Sequence, residues 1–256
     1  MYTLINSQKI YFASDFHLGV PTSEASLIRE KKLVRWLEIV SKDAQEIHLM
    51  GDLFDFWFEY KRVVPRGYVR VLGKIAELSD RGVKIVLYTG NHDMWIFDYL
   101  PKELGVELIT EPIQRIFGEK KFFLGHGDGL GPGDHGYKFI KKVFSFKFFQ
   151  WCFARLHPNF GIWAANFWSG RSKESNKKNL KEPDHFLGPE KEWLVQFCEE
   201  TNRSEEFDYF IFGHRHLLID HPIGTNSRYI NLGDWYTQCN YAEFDGQELT
   251  LKVFED

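Results

Sequence analysis

Six short apolar runs, each stopped by a residue able to bind a proton or a metal ion, constrain this chain more than any other feature. KIYFAS leads to Asp15, EIHLM to Asp52, KIVLYT to Asn91, KKFFL to His126, DYFIF to His214 and RYINL to Asp234. Most of these runs are continuously apolar rather than alternating, as strands of a sheet covered on both faces require. Helical patterns separate the early ones. SEASLIREKKLVRWLEIV begins at Ser23, which can serve as an N-cap, and RGYVRVLGKIAELSDRG begins at Arg66 and can be stopped by Gly82. Strand–helix alternation predicts a layered α/β fold. Near the end, YAEFDGQELTLKVFE reads as a hairpin about FDGQ.

One stretch breaks this rhythm. Between Val143 and Trp168 there are ten aromatic residues against two charged ones. We expect an inserted aromatic helical cap over 133–183, with 1–132 and 184–256 forming the core. Such a segment either packs a helical hairpin or offers an apolar surface to acyl chains or a membrane. Lys138, Lys141, Lys142 and Lys147 flank it and would contribute roughly 1 kcal/mol each beside an anionic lipid surface. Taken whole, the composition is that of a soluble globular protein, 43% hydrophobic and 27% charged. A net charge of −4 supplies no basic field for nucleic acid. Cys152, Cys198 and Cys239 form neither a CxxC nor a disulfide framework, which suits a reducing compartment. We expect no signal peptide and no spanning helix, since no basic-then-apolar leader and no apolar run of roughly 18 residues is visible.

The chemistry lies at the strand ends, where open α/β sheets bind their ligands. SDFHLG offers Asp15 and His17, and MGDLFD offers Asp52. TGNHD offers Asn91, His92 and Asp93, LGHGDGL offers His126 and Asp128, and FGHRH offers His214 and His216. Asp15, His17, Asp52, Asn91, His126, His214 and His216 are of metal-ligand type. All are nitrogen or oxygen donors, a set suited to Mn²⁺, Fe or Zn²⁺. Residues i and i+2 of an extended strand end share one side, so Asp15 with His17, and His214 with His216, are expected to converge. Gly51, Gly90, Gly125, Gly127 and Gly213 are expected to let the backbone turn sharply beside the cluster. Two cations about 3.5–4 Å apart need a bridging carboxylate, and Asp52 is the natural bridge. Asp55 and Asp128 read as supporting groups rather than ligands.

The ordered series D-x-H, G-D, G-N-H-D, G-H-G-D and G-H-x-H, from Asp15 to His216, resembles the signature of calcineurin-like metallophosphoesterases. The resemblance implies a layered β-sandwich flanked by helices and holding two divalent ions. Asp15, His17, Asp52 and His216 would bind one, and Asp52, Asn91, His126 and His214 the other. Water activated between them would attack phosphorus, with Asp52 the shared catalytic carboxylate. His92 would donate a hydrogen bond or proton to the charge that develops. Asp93 would orient a neighbouring group, and Arg215, between two ligands, would point to the opposite side and serve the structure.

Three segments, GDLFDFWFE, HGDGLGPGD and RSKESN, resemble the UDP-2,3-diacylglucosamine hydrolases of the lipid A pathway. That resemblance implies hydrolysis of a pyrophosphate bond, yielding UMP and 2,3-diacylglucosamine 1-phosphate. The ion would be Mn²⁺, with Fe or Zn²⁺ as alternatives. The enzyme would be cytoplasmic and peripheral on the inner membrane, and its partners would be the UDP-linked diacylated glucosamine lipid and the membrane surface, with no nucleic acid. Asp134, Ser172 and Asn176, with Asn91, His92 and His214, would face the substrate. Two positions depart from the subfamily: His92 stands where many members carry arginine, and Asn179 where lysine is usual. They leave open a metallophosphoesterase of soluble nucleotides or phosphodiesters. A non-catalytic scaffold is a third reading, disfavoured because all seven donors are present.

Overall fold

The computed structural model describes residues 8–133, 135–165, 167 and 185–255. Asp134, Ser172, Asn176 and Asn179 lie outside them. The strands are β1 (Lys9–Ala13), β2 (Ala44–Leu49), β3 (Lys84–Tyr88), β4 (Glu107–Ile109), β5 (Ile113–Phe117), β6 (Lys120–Leu124), β7 (Tyr209–Phe212), β8 (Leu218–Ile223), β9 (Ser227–Leu232), β10 (Asn240–Phe244) and β11 (Leu249–Val253). They form a six-stranded sheet, β11-β10-β1-β2-β3-β4, and a five-stranded sheet, β5-β6-β7-β9-β8. The parallel neighbours β1–β2–β3–β4 and β6–β7–β9 are the runs that end in candidate site residues or lie beside them.

Continuous apolarity has the expected cause. In β1, Ile10 and Phe12 face the interior between the two sheets, while Tyr11 and Ala13 face helices. Those helices are α1 (Ser23–Val40), α2 (Val69–Asp80) and α3 (Tyr99–Leu104). In β7, Tyr209 and Ile211 face the interior, and Phe210 and Phe212 pack on Leu194, Val195 and Cys198. Those three belong to α6 (Trp193–Ser204). The result is helix, sheet, sheet, helix. Each fully buried large side chain, such as Trp36 or Phe12, contributes about 1.5–3 kcal/mol.

Two helix starts differ from expectation. The cap of α1 is Thr22, whose hydroxyl accepts the Ala25 N–H at 3.2 Å, and Ser23 is already helical. Helix α2 begins at Val69 rather than Arg66, because Gly67 and Tyr68 have φ of 111° and 60°. Its open end is closed from outside: Glu30 of α1 accepts the N–H groups of Arg70 and Val71 at 2.9 and 3.2 Å, where a carboxylate also complements the helix dipole. Gly82, at φ 86°, follows α2 as expected. The hairpin is present as β10–β11, with Phe244 opposite Leu249.

The aromatic stretch is helical: α4 (His135–Ser145), α5 (Lys147–Phe153) and residues 158–165. Packing against the core loops accounts for Phe144 and Phe153. The Trp95 indole N–H donates to the Phe144 carbonyl at 3.0 Å, and the Phe153 ring lies 4.6 Å from Phe58 and 4.8 Å from Trp95. It does not account for Phe148, Trp151 and Trp163, which are 56%, 54% and 59% exposed. Two of the four flanking lysines are engaged within the protein, Lys138 with the Gly131 carbonyl and Lys141 with Asp128. Lys142 and Lys147 are exposed.

Candidate metal centre

All the predicted donors gather at one rim of the sandwich. One group contains Asp15, His17, Asp52 and His216. His17 Nε2 lies 3.0 Å from His216 Nε2, 3.7 Å from Asp15 Oδ1 and 3.6 Å from Asp52 Oδ2, and His216 Nε2 lies 3.1 Å from Asp15 Oδ1. The second group shares Asp52: His126 Nε2 is 3.3 Å from Asp52 Oδ2 and 3.2 Å from Asn91 Oδ1, which is 2.9 Å from His214 Nδ1.

Convergence is achieved by a route other than strand pleating. β1 ends at Ala13 and β7 at Phe212, so both pairs lie beyond the strands. Asp15, His17, Asp52, His214 and His216 all have left-handed backbone, with φ between 44° and 70°. Each such residue costs about 1–3 kcal/mol, held in place by the loops around it. Glycine roles also divide. Gly51 and Gly127 have positive φ, at 96° and 110°. Gly90 and Gly213 serve by yielding space: a Cβ there would fall 2.2 Å from Asp52 Oδ1 and 2.3 Å from Asp15 Oδ2.

The geometry suits cations. His214 N–H donates to Asp15 Oδ2 at 3.0 Å, and His92 N–H donates to Asp52 Oδ1 at 2.9 Å. The other oxygen of each carboxylate, Asp15 Oδ1 and Asp52 Oδ2, is buried and accepts no hydrogen bond. Such an oxygen is costly unless something positive meets it. The imidazoles are turned to match. His126 Nδ1 lies 2.9 Å from the Met50 carbonyl, which can only accept, so Nδ1 carries hydrogen and Nε2 faces Asp52. His17 Nδ1 lies 3.2 Å from Asp55 Oδ1, which orients its Nε2 in the same way. Asp55 is thus a supporting group, as is Asp128, whose Oδ2 takes the Tyr137 hydroxyl at 2.5 Å and Lys141 Nζ at 2.7 Å. These oxygens and nitrogens fit divalent cations.

Titration behaviour agrees. Burial alone would raise Asp15 and Asp52, but imidazoles, His216 foremost at Asp15 and His126 at Asp52, hold both well below the usual carboxylate range. Burial would lower His17, yet Asp15 and Asp55 lift it to about 9. His126 is likewise lifted against burial, chiefly by Asp52. His214 falls to about 4 through burial and the charge of His126. The cluster draws positive charge inward, as protons or as metal ions competing for the same lone pairs.

Supporting residues complete the rim. Asp93, pushed up to about 7 by burial and by Asp52, accepts the N–H groups of Leu53, Phe54 and Gly90, tying the two central loops together. Arg215 forms a two-point pair with Glu192 at 3.0 and 3.1 Å, the structural role expected. His92 Nδ1 donates to the Asp55 carbonyl at 2.9 Å, and its ring stands edge-on to His17 at 4.8 Å. The sequence reading missed Arg29, which is buried and donates to the carbonyls of Phe16, His17 and Val20 at 2.6, 2.6 and 2.5 Å. Its signal was a charge on the buried stripe of α1, beside Ser26, Leu33 and Trp36.

Known proteins place the chain. A family model described as Calcineurin-like phosphoesterase matches residues 8–218. A Porphyromonas gingivalis protein named UDP-2,3-diacylglucosamine hydrolase is 41% identical over 97% of this chain and 98% of its own length. Proteins of the same name from Tolumonas auensis and Aeromonas salmonicida are 26% and 28% identical. Each alignment spans 94% of this chain, and 94% and 93% of the relatives. With the motif series intact from Asp15 to His216 and its side chains gathered at one rim, the chain belongs to the calcineurin-like phosphoesterase family.

Proposed function

We propose that the chain hydrolyses the pyrophosphate of UDP-2,3-diacylglucosamine, releasing UMP and 2,3-diacylglucosamine 1-phosphate. The observation that carries this reading is near-full-length similarity to relatives of that name. It is joined to two donor groups sharing Asp52. Asp15, His17, Asp52 and His216 hold one divalent cation, and Asp52, Asn91, His126 and His214 hold the other. Bound there, two such cations lower the pKa of water and neutralise phosphoryl oxygens. His92 is oriented by the Asp55 carbonyl through Nδ1–H, and as an imidazolium it gives a hydrogen bond or proton from Nε2 to the developing charge. Hard carboxylate oxygens beside imidazoles favour Mn²⁺, with Fe and Zn²⁺ as the alternatives to compare.

Residues 133–183 form the cap and the remainder the core. The resemblance assigns Asp134, Ser172 and Asn176, which lie outside the described residues, to the substrate. Exposed Phe148, Trp151 and Trp163 supply apolar surface for acyl chains and for peripheral attachment to the cytoplasmic face of the inner membrane. Among the described residues no helix is long and apolar enough to cross a membrane. These aromatics favour a lipid over the second reading, a phosphoesterase of soluble nucleotides. Mass spectrometry of a reaction with Mn²⁺ and UDP-2,3-diacylglucosamine should detect UMP and the lipid monophosphate. An untouched lipid nucleotide beside rapid turnover of a soluble phosphodiester would sink this reading.

A further inference from the structure

The two sides of the rim differ. Near the ends of β3 and β6, α4 lies against the site: the Tyr137 ring is 6.2 Å from that of His214, Tyr137 and Lys141 hold Asp128, and Trp95 holds the Phe144 carbonyl. The exposed aromatics of α5 continue from there. The opposite side is made where β1 and β9 end, and these are separated from β3 and β6 by intervening strands in each sheet. The loop after β9 carries Tyr236, which is 44% exposed. That loop is fastened to the centre, since Trp235 N–H donates to the Asp15 carbonyl at 3.1 Å. The Arg29 guanidinium lies 4.5 Å from the centre of the Tyr236 ring and donates to the His17 carbonyl at 2.6 Å. One buried cation therefore steadies the backbone of a candidate ligand and backs the ring of an exposed tyrosine.

A diphosphate lying across two cations presents its two substituents in opposite directions. The acyl-bearing end belongs with the aromatics of α5, which leaves the nucleoside for the side of β1 and β9. We propose that Tyr236, backed by Arg29, is the nucleobase-stacking residue of this site and takes the pyrimidine of a uridine nucleotide. The identity of the base rests on the substrate reading above. The choice of that side rests on it too, and the choice of Tyr236 within that side rests on the placement of its ring. An aromatic face recognises a base by stacking and is indifferent to the sugar and phosphate.

Calorimetric titration of the Mn²⁺-loaded full chain with UMP and, separately, with ribose 5-phosphate tests this without turnover. Tyr236→Leu should weaken UMP on the order of tenfold, as loss of one stacked base predicts, while ribose 5-phosphate binds as before. Tyr236→Phe should bind both like the unmodified chain. Unchanged UMP affinity in Tyr236→Leu, parallel loss of both ligands, or no UMP binding by the unmodified chain would each overturn the proposal. If the lipid nucleotide is not hydrolysed while this binding pattern holds, the substrate reading falls and the stacking assignment stands.

Discussion

Gly90 offers the sharpest test of how the centre is packed. Its φ lies outside the left-handed region, so alanine fits the backbone there. At such a position Gly→Ala ordinarily stabilises a fold by about 0.4–1 kcal/mol. Here the added Cβ would fall 2.2 Å from Asp52 Oδ1 and 2.7 Å from the Asp52 backbone nitrogen. Neither atom can yield freely, because Asp52 is buried and Oδ1 already accepts the His92 N–H. Overpacking of this kind costs about 1–3 kcal/mol, and for a chain of this length roughly 2–4 °C of melting temperature accompanies each kcal/mol. The larger effect should be chemical, since shifting a reacting group by about 1 Å can cost on the order of 100-fold in rate. Gly90→Ala should therefore melt lower by a few degrees, bind less metal and turn over about 100-fold more slowly. Calorimetry, elemental analysis and steady-state kinetics measure the three. A variant with full metal content and full rate would refute the reasoning.

Two further outcomes follow from the same geometry. In the cation-free chain His17 titrates at about 9 and His126 well above its ordinary 6.5, so both hold protons at neutral pH. Because both are raised, the protonated contribution to stability is complete below 6.5; that of His17 is lost as pH rises through about 9, and that of His126 as pH rises well above 6.5. Cation affinity should rise over that window, and calorimetry in buffers of different ionisation enthalpy should find about two protons released when both positions fill. No release would contradict the shared use of these lone pairs. On the insertion, a Phe148→Ser, Trp151→Ser double variant should bind anionic phospholipid vesicles at least about tenfold more weakly, given about 1.5–3 kcal/mol for each large apolar side chain. It should hydrolyse a soluble phosphodiester normally. Equal vesicle binding would remove the membrane reading.

The strands and their stops were legible because burial on both faces demands continuous apolar runs, and a charged or imidazole residue ends such a run visibly. The convergence of Asp15 with His17, and of His214 with His216, was also legible, though not its cause. Pleat alternation predicts the right pairs, but left-handed loops produce them, and the preference of aspartate and histidine for that backbone is too weak to distinguish the two. Gly90 and Gly213 read as turn residues because close approach is a tertiary fact. Arg29 and Glu30 announced themselves weakly, as charges on the buried stripe of α1. What each would hold was not legible: Arg29 turns back to the loop just before its own helix, and Glu30 reaches the start of α2, far along the chain. The fate of the aromatic insertion was not legible at all, since composition does not separate a packed Phe153 from an exposed Trp151.

The central claim is a pair of divalent cations joined by one carboxylate. Crystals grown with Mn²⁺ and measured at its absorption edge would locate the ions without reference to activity. The account predicts two anomalous peaks about 3.5–4 Å apart, both in contact with Asp52, one beside His17 and His216 and the other beside His126 and His214. A single peak, or a pair that Asp52 does not join, would contradict it.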